Sequence, residues 1–369
     1  TTWHENGQKQ LEQNVKDDKL DGKMTIWYES GQIQLENYYK DGKRISETDF
    51  LNEVKQEKPE VKKIKLPPTQ EQLKKSLEQF GEIRLDEPMK AHTTFGIGGP
   101  AKIFLTVRTS SNLAEAIRIT SEANAGPFIL GSGSNIVVSD KGIAGVVIDN
   151  RAKQLKQIDD FHFQVESGAN FSGTARRMCR VGLAGLAWAV GIPGTFGGAV
   201  VYNAGAYGGC LSDVLIRANL FSPTSGSAWF DSEDLQLTYR NSVLQNNHFR
   251  QQTVLEVEIM LHEGDATSLI TEVAKYDERR LSTQPRERNP GSMFRNPPTQ
   301  PAWRLIEAVG MRGITKGGAK ISEKHANFFV NTQQAKAKDV LWLVEEAEKR
   351  VYDTFGIKLI REVNFVGMF

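Results

Sequence analysis

Apolar positions along the chain fall into short alternating runs and helical stripes. Alternation at period two marks a half-buried strand, and recurrence at three and four residues marks an amphipathic helix. A helical pattern from Gln72 to about Phe80 precedes the apolar run 101–107, which predicts a strand; a stripe through Leu113, Ile117 and Ile119 predicts a helix over 112–123. Three β-rich runs follow at 128–130, 136–138 and 145–149, and this order predicts a compact α/β unit closing near Asn150. Beyond it, 161–168 and 253–261 alternate as strands, 172–182 reads as a short helix, and 266–281 as a helix ending in paired arginines. A long amphipathic helix is expected from Gln333 to Gly356, with Val340, Val344, Ala347, Val351 and Phe355 on one face and Gly356 as its stop. Alternation through Leu359, Arg361, Val363 and Phe365 predicts a last strand.

The first fifty residues repeat. The stretch 3–18 matches 27–42, with Trp3 aligned to Trp27, Gly7 to Gly31, Leu11 to Leu35 and Asp17 to Asp41, a period of 24 residues. Each unit predicts two short strands around an Asn6-Gly7 or Ser30-Gly31 turn, and units of this length stack into sheets. Both a solvated accessory β-meander and a specific binding module fit that pattern. These residues resemble the MORN-like repeats of the YwqK antitoxin family, which implies a protein contact through the repeats. Residues 51–68 are charged, balance their lysines with Glu53, Glu57 and Glu60, and end in Pro67-Pro68, the composition of a linker.

Two glycine-rich stretches interrupt the periodic pattern. Residues 182–209 hold nine glycines and six alanines in 28 positions, with only Trp188, Phe196, Tyr202 and Tyr207 bulky. Glycine at this density is kept where backbone must approach another body or take positive φ, so a bound cofactor and close packing of the chain on itself are both open. The second stretch, 131–135, follows the apolar run 128–130 and clusters amides and hydroxyls suited to a phosphate. It is not a Rossmann fingerprint, since Ile136 holds the third glycine position, and no Lys-Ser/Thr pair makes it a P-loop.

Composition narrows the function classes. The chain has 369 residues, 39% hydrophobic and 25% charged, enough for two or three domains. A net charge of +1 predicts no bulk attraction to nucleic acid or to an anionic membrane, so a phosphorylated ligand needs a local cluster. Two cysteines, Cys179 and Cys210, make neither a zinc site nor a disulfide framework and fit a reducing cytosol. No apolar run approaches the roughly 18 residues of a membrane span, and no signal peptide is expected. Hydrolase and metalloprotease signatures are absent, and the six scattered histidines read as structural. Three polar clusters remain: Tyr239, Arg240 and Ser242; Ser292, Arg295 and Asn296 in a proline-bounded turn; and Glu362 among apolar neighbours, which taken alone reads as a solvent-face residue.

In order and spacing, the motifs at 93–99, 130–135, 191–209, 239–242, 291–297, 302–313, 317–331 and 361–367 resemble those of the UDP-N-acetylenolpyruvoylglucosamine reductase family, the UDP-N-acetylmuramate dehydrogenases, over about residues 70–368. The resemblance implies an α+β protein: a vanillyl-alcohol-oxidase-type FAD-binding half made of two α/β subdomains (69–150 and 151–288), then a C-terminal α/β substrate-binding domain (289–369). The repeat segment 1–50 and the linker 51–68 precede them. It implies a cytoplasmic enzyme of peptidoglycan precursor synthesis in which NADPH reduces FAD, and FAD reduces the enolpyruvyl ether of a UDP-sugar to UDP-N-acetylmuramate. By the same resemblance Ser292 is the proton donor and Arg240 with Glu362 the stabilising pair. Tyr239, Arg295 and Asn296 bind substrate. FAD lies along Gly131, Ser132, Gly133, Ser134 and Asn135 and along Pro193, Gly194, Thr195, Gly197 and Gly198, with Ala204, Gly205 and Tyr207 near the ring, and no metal takes part.

Those assignments meet a physical need. Hydride addition to the double bond leaves negative charge on the carboxylate, which calls for a guanidinium that can fork onto it, a neutral acid and a proton donor at the adjacent carbon. Glu362 must then be protonated, as its flanks Ile360 and Val363 favour. This sequence departs from the family pattern in two places. Arg295-Asn296 stands for the usual Lys-Asn, and the spacer 286–290 is one residue shorter and more basic, with Arg286 and Arg288 available to a diphosphate. Only 53 positions separate Tyr239 from Ser292, which leaves no room for the tyrosine-bearing insertion of one subclass and implies the shorter one. Two other readings stand beside the reductase. One is a different FAD-dependent oxidase or dehydrogenase on the same half, against which 291–297 and 361–367 argue; the other is an interaction protein working through the repeats.

Overall fold

In the computed structural model of the chain, residues 1–4, 6–50, 69–246 and 252–369 are described; the linker expected at 51–68 lies outside them. The chain divides into two compact units, 1–66 and 67–369. The first is a five-stranded antiparallel meander of Thr2–Trp3, Lys9–Lys16, Lys19–Trp27, Ile33–Lys40 and Lys43–Ile45. Its tight two-residue turns are Asp17-Asp18 and Asp41-Gly42, all four at positive φ, the conformation that matches strand twist in a hairpin. The Asn6-Gly7 and Ser30-Gly31 turns foreseen in the sequence also join antiparallel strands, in wider loops.

Three sheets of three or more strands, with three two-stranded ones, make up the described residues of the second unit. In the first, Pro100–Val107, Ile143–Asn150 and Phe128–Leu130 run parallel, with Glu82–Pro88 antiparallel at one edge. The helix Gln70–Leu77 starts at a capping box between Thr69 and Gln72 and buries Leu73 and Leu77 against this sheet. The helix Ser110–Glu122 starts at Thr109 and buries Leu113, Ala116, Ile117 and Thr120, while Ile119 is only half-buried.

The second sheet is wholly antiparallel, in the order Leu155–Gln157, His162–Glu166, Thr253–Met260, Leu215–Ser222, Gly226–Asp231. It packs on the helix Phe171–Arg180 and on the short helix Phe196–Val201 through Phe163, Val165, Phe171, Phe196 and Val257. The third sheet (Thr315–Lys316, Ala319–Ile321, Phe329–Asn331) is covered by the helix Ala337–Phe355, which buries Val340, Val344, Ala347 and Val351. That helix begins four residues later than the sequence pattern suggests. Asp140 reaches across from the first sheet's side to take the amides of Ala337 and Lys338 at 2.9 and 3.2 Å, and so fixes the start. It ends at Gly356 with φ 68, as expected, but Phe355 is 41% exposed and lies off the buried face.

The last strand is shorter than its alternation predicts, only Asn364–Val366, and pairs parallel with Ile136–Val138. The chain end therefore returns to the segment that directly follows the 131–135 loop.

Candidate active site

Residues 291–295 run extended between two neighbours. On one side Ser292 faces Phe328 in a β-bridge, and buried Asn327 both accepts from the Phe294 amide (3.0 Å) and donates to the Phe294 carbonyl (2.7 Å). On the other side the amides of Arg295 and Glu362 bond the carbonyls of Ile360 and Met293, at 2.9 and 2.8 Å. Met293 and Phe294, at 0% and 1% exposure, anchor the strip in the core. Ser292 and Glu362, seventy residues apart in sequence, are thus held on adjacent backbone. Gly291, at φ 88, turns the chain into this strip. The Ser292 hydroxyl has no hydrogen-bond partner among the described residues, which leaves it free for a ligand.

Arg240 comes to the same corner from the antiparallel sheet's end of the chain. Its Nε lies 2.8 Å from Glu362 Oε1, yet the N–H is not aligned to make a hydrogen bond. Arg240 itself sits at φ 55, a conformation that costs a non-glycine residue on the order of 1 kcal/mol and persists only where neighbours impose it. Gln245 is that neighbour: its amide donates to the carbonyls of Arg240 (3.0 Å) and Val201 (2.9 Å), and its oxygen accepts from Arg295 Nη2 at 3.0 Å. Arg295 Nε is buried without a partner. A buried guanidinium N–H without an acceptor, on Arg295, beside the close Arg240–Glu362 pair is suited to an anion.

Burial pushes the Glu362 carboxyl above the usual carboxylate range, and the guanidiniums of Arg240 and Arg295 offset this only in part. A neutral carboxyl beside two arginines can donate a hydrogen bond or a proton to a bound anion. Three residues of this corner were assigned no role from the sequence. Gln245 stands three positions past Ser242, Tyr202 was one bulky residue of the glycine stretch, and Asn364 donates to the Tyr202 hydroxyl at 2.6 Å. Their roles arise from contacts between segments 40 to 160 residues apart, which no local pattern encodes.

The two glycine-rich loops also meet. Ser134 Oγ donates to the Pro193 carbonyl at 3.0 Å, and a Cβ on Gly131 would stand 2.8 Å from Thr195 Oγ1. No protein acceptor among the described residues takes the amides of Ser132, Gly133 and Ser134, and with Gly133 at φ 61 they form a concavity suited to a phosphate. Asn135 closes that loop, accepting from the Asn364 amide at 3.0 Å and donating to the Glu362 carbonyl at 3.2 Å. At the second loop Thr195 caps the helix Phe196–Val201, whose first amides, Phe196 and Gly197, are spent on Ala169 and Ser167 carbonyls. Among the described residues the Gly194 and Thr195 amides likewise have no protein acceptor, so both loops offer free donors.

The glycines divide by what a side chain would meet. Gly133 is needed by the protein itself: a Cβ there would lie 2.1 Å from the His92 carbonyl, so its absence is not evidence of a ligand. Gly205 and Gly209 are likewise filled by Cys210 and Trp188. Gly198 is different, being exposed, with only Thr195 Oγ1 within 4 Å of a Cβ, at 3.8 Å, so the described protein gives no reason to keep it. Gly198→Leu is expected to fold with unchanged circular dichroism and to retain less than about a tenth of the flavin, because a side chain there blocks close backbone approach. Full flavin occupancy in that variant, read from the absorbance ratio at 450 and 280 nm, would move the cradle elsewhere.

Other expected residues sit as follows. Ala204 and Gly205 lead into a small hairpin, Gly205–Ala206 against Gly209–Cys210. Tyr207 stands at its turn, φ 54, with its ring stacked on Tyr276 at 4.4 Å and Arg279 over it at 5.5 Å. Tyr239 is 60% exposed beneath the Arg240 guanidinium. Asn296 takes the Ala302 amide at 3.0 Å at the start of the helix Ala302–Ala308. Arg288 occupies the space beside Gly96, where a Cβ would be 2.6 Å from its Nη1.

The chain is similar to known proteins over most of its length. The family described as UDP-N-acetylenolpyruvoylglucosamine reductase, C-terminal domain, matches residues 284–366, and an FAD-binding domain family matches 101–228. The reductase of Alkaliphilus oremlandii is 40% identical over 291 residues, covering 77% of this chain and 93% of that one. The reductase of Halalkalibacterium halodurans is 39% identical, covering 80% and 99%. The solved structure of the reductase from Thermus caldophilus is 34% identical, with TM-score 0.65, covering 77% of this chain and 98% of that one.

Proposed function

This chain belongs to the UDP-N-acetylenolpyruvoylglucosamine reductase family, and on that premise we propose how its residues divide the work. It is an FAD-dependent oxidoreductase on a vanillyl-alcohol-oxidase-type half, using NADPH to convert the enolpyruvyl ether of a UDP-sugar to UDP-N-acetylmuramate, a peptidoglycan precursor. The observation that carries the assignment of residues is the convergence of Ser292, Arg240 and Glu362 from three separate segments at one corner, beside the loop that presents free amides. Residues 69–150 and 151–288 form the flavin half and those from 289 the substrate domain, with the last strand returning to the flavin half.

Bound FAD supplies the two-electron chemistry between NADPH and the sugar. The chain's residues hold and neutralise the rest. Arg295, whose buried Nε has no partner among the described residues, and Arg240, paired with Glu362, take the enolpyruvyl carboxylate. Glu362, whose carboxyl is held by burial above the usual carboxylate range, donates to the same group, when protonated, as charge develops there. Ser292 delivers the proton to the adjacent carbon. The amides of Ser132, Gly133 and Ser134 hold the cofactor's phosphates. Tyr239 and Asn296 line the approach of the substrate. With no tyrosine-bearing insertion, the chain belongs to the shorter subclass. It works in the cytoplasm; among the described residues no helix is long and apolar enough to cross a membrane.

Purified protein is expected to be yellow, to bleach with NADPH, and to regain its colour on addition of the UDP-enolpyruvyl sugar with one equivalent of UDP-N-acetylmuramate formed. Bleaching without recovery would favour another flavin dehydrogenase, and a colourless protein would favour an interaction protein.

The N-terminal meander is an accessory module of the MORN-like kind that makes a protein contact. Deletion of residues 1–66 is expected to change flavin content and turnover by less than about twofold, because every group named above lies beyond it. Loss of FAD in the truncated protein would make the meander part of the catalytic unit.

A further inference from the structure

We propose that Tyr202 is a further substrate-contacting residue, whose hydroxyl donates a hydrogen bond to the enolpyruvyl carboxylate beside Arg240 and Arg295. The proposal rests on the reading of that corner as the reaction site. Tyr202 closes the helix Phe196–Val201, and the carbonyl just before it, Val201, is gripped twice, by Ser242 Oγ at 2.7 Å and by Gln245 Nε2 at 2.9 Å. Gln245 also holds the Arg240 carbonyl and the Arg295 guanidinium. One side chain thus fixes Tyr202's backbone relative to both arginines.

The hydroxyl is fixed from the opposite side. Asn364 Nδ2 donates to Tyr202 Oη at 2.6 Å, and the Asn364 backbone amide is tied to the Asn135 carbonyl. Asn364 stands two residues beyond Glu362. The Tyr202 phenol lies near enough to the Glu362 carboxyl and the Arg295 guanidinium for both to act on it, the carboxyl raising its pKa and the guanidinium lowering it.

The direction of that hydrogen bond decides the chemistry. Because the Asn364 amide is the donor, the phenolic oxygen accepts and its proton is left over. No acceptor for that proton exists among the described residues. Burial raises the Tyr202 pKa above its usual value, so the phenol keeps the proton through the neutral range. A fixed donor with no acceptor among the described residues, near Arg295, whose buried Nε also lacks one, and near the Arg240–Glu362 pair, completes a receptor for a carboxylate, whose two oxygens offer about four lone-pair sites.

The test uses the flavin-loaded enzyme and two ligands that differ in one group. UDP-N-acetylmuramate carries the carboxylate and UDP-N-acetylglucosamine does not; both are titrated through the flavin absorbance. Tyr202→Phe keeps the ring and removes only the hydroxyl. It is expected to weaken the carboxylate-bearing ligand about ten- to a hundredfold, as for loss of a hydrogen bond to a charged group, and to leave the other within about twofold. Equal weakening of both ligands would make Tyr202 a packing residue, and no change in either would remove it from the site; both overturn the proposal. Arg240→Met, titrated in parallel, separates the two levels. If it too shows no carboxylate-specific loss, the corner itself is misassigned; if it does and Tyr202→Phe does not, only the tyrosine fails.

Discussion

Ser292→Ala is expected to bleach with NADPH at the normal rate and to reduce the UDP-sugar about 10²–10⁴ times more slowly, the usual cost of losing a positioned general acid. The strip that carries Ser292 is held by backbone bonds to 327–328 and 360–362 and by buried Met293 and Phe294, none of which involves the hydroxyl. Alanine should therefore leave the strip in place and remove only the proton donor. The first half-reaction needs no donor at that position, which is why the two steps should separate. Ligand affinity should fall by no more than about tenfold, since one neutral hydrogen bond contributes about 1 kcal/mol. Stopped-flow measurement of each half-reaction decides it. Normal recovery of colour in the variant would remove Ser292 from the chemistry, and failure of both steps would mean that the turn at Gly291 had been lost instead.

Arg240→Met should slow the same half-reaction about 10²–10³-fold, the typical loss when one preorganised donor to a developing negative charge is removed. Methionine keeps much of the aliphatic bulk over Tyr239. The pH dependence gives the variant a second signature. Glu362 is already held above the normal carboxylate range by burial, with the Arg240 charge pulling it down. Without that charge its pKa rises further, so the alkaline limb on which the neutral acid is lost should move to higher pH. Stability carries the same sign: a carboxyl whose folded pKa is raised contributes fully below its unfolded pKa, and that contribution fades as pH rises through the folded one. An alkaline limb that does not move in the variant would mean that Glu362 is not the titrating group.

Much of the architecture was written in local pattern. The helices 70–77, 110–122, 171–180, 266–283 and 337–355 follow apolar stripes, and the strands 100–107, 162–166 and 253–260 follow alternation or apolar runs. The strands Leu215–Ser222 and Gly226–Asp231 went unread, the second because it offers only half-buried and exposed positions at a sheet edge. In the N-terminal meander the Asn6-Gly7 and Ser30-Gly31 stretches do join antiparallel strands, as read, while the tighter turns at Asp17-Asp18 and Asp41-Gly42 went unread.

The residue types at the site were legible, because the chemistry demands a guanidinium, an acid and a hydroxyl, and the motifs at 239–242, 291–297 and 361–367 supply them in order. Their environments were not. Glu362, read alone, is a solvent-face residue; its pKa is raised only because its segment is buried against 293–295 and 135, and the two arginines that arrive from other segments offset that rise in part. The glycines show the same division. Sequence marks where side chains are missing, but only the neighbours separate Gly133, which the His92 carbonyl requires, from Gly198, which nothing in the described protein requires. Gln245, Tyr202 and Asn364 complete the division, since each acts through a hydrogen bond to a residue distant in sequence. Periodicity follows from the geometry of a single segment and can be read along the chain; desolvation and hydrogen-bond direction depend on what lies across the gap, and are decided only when the segments meet.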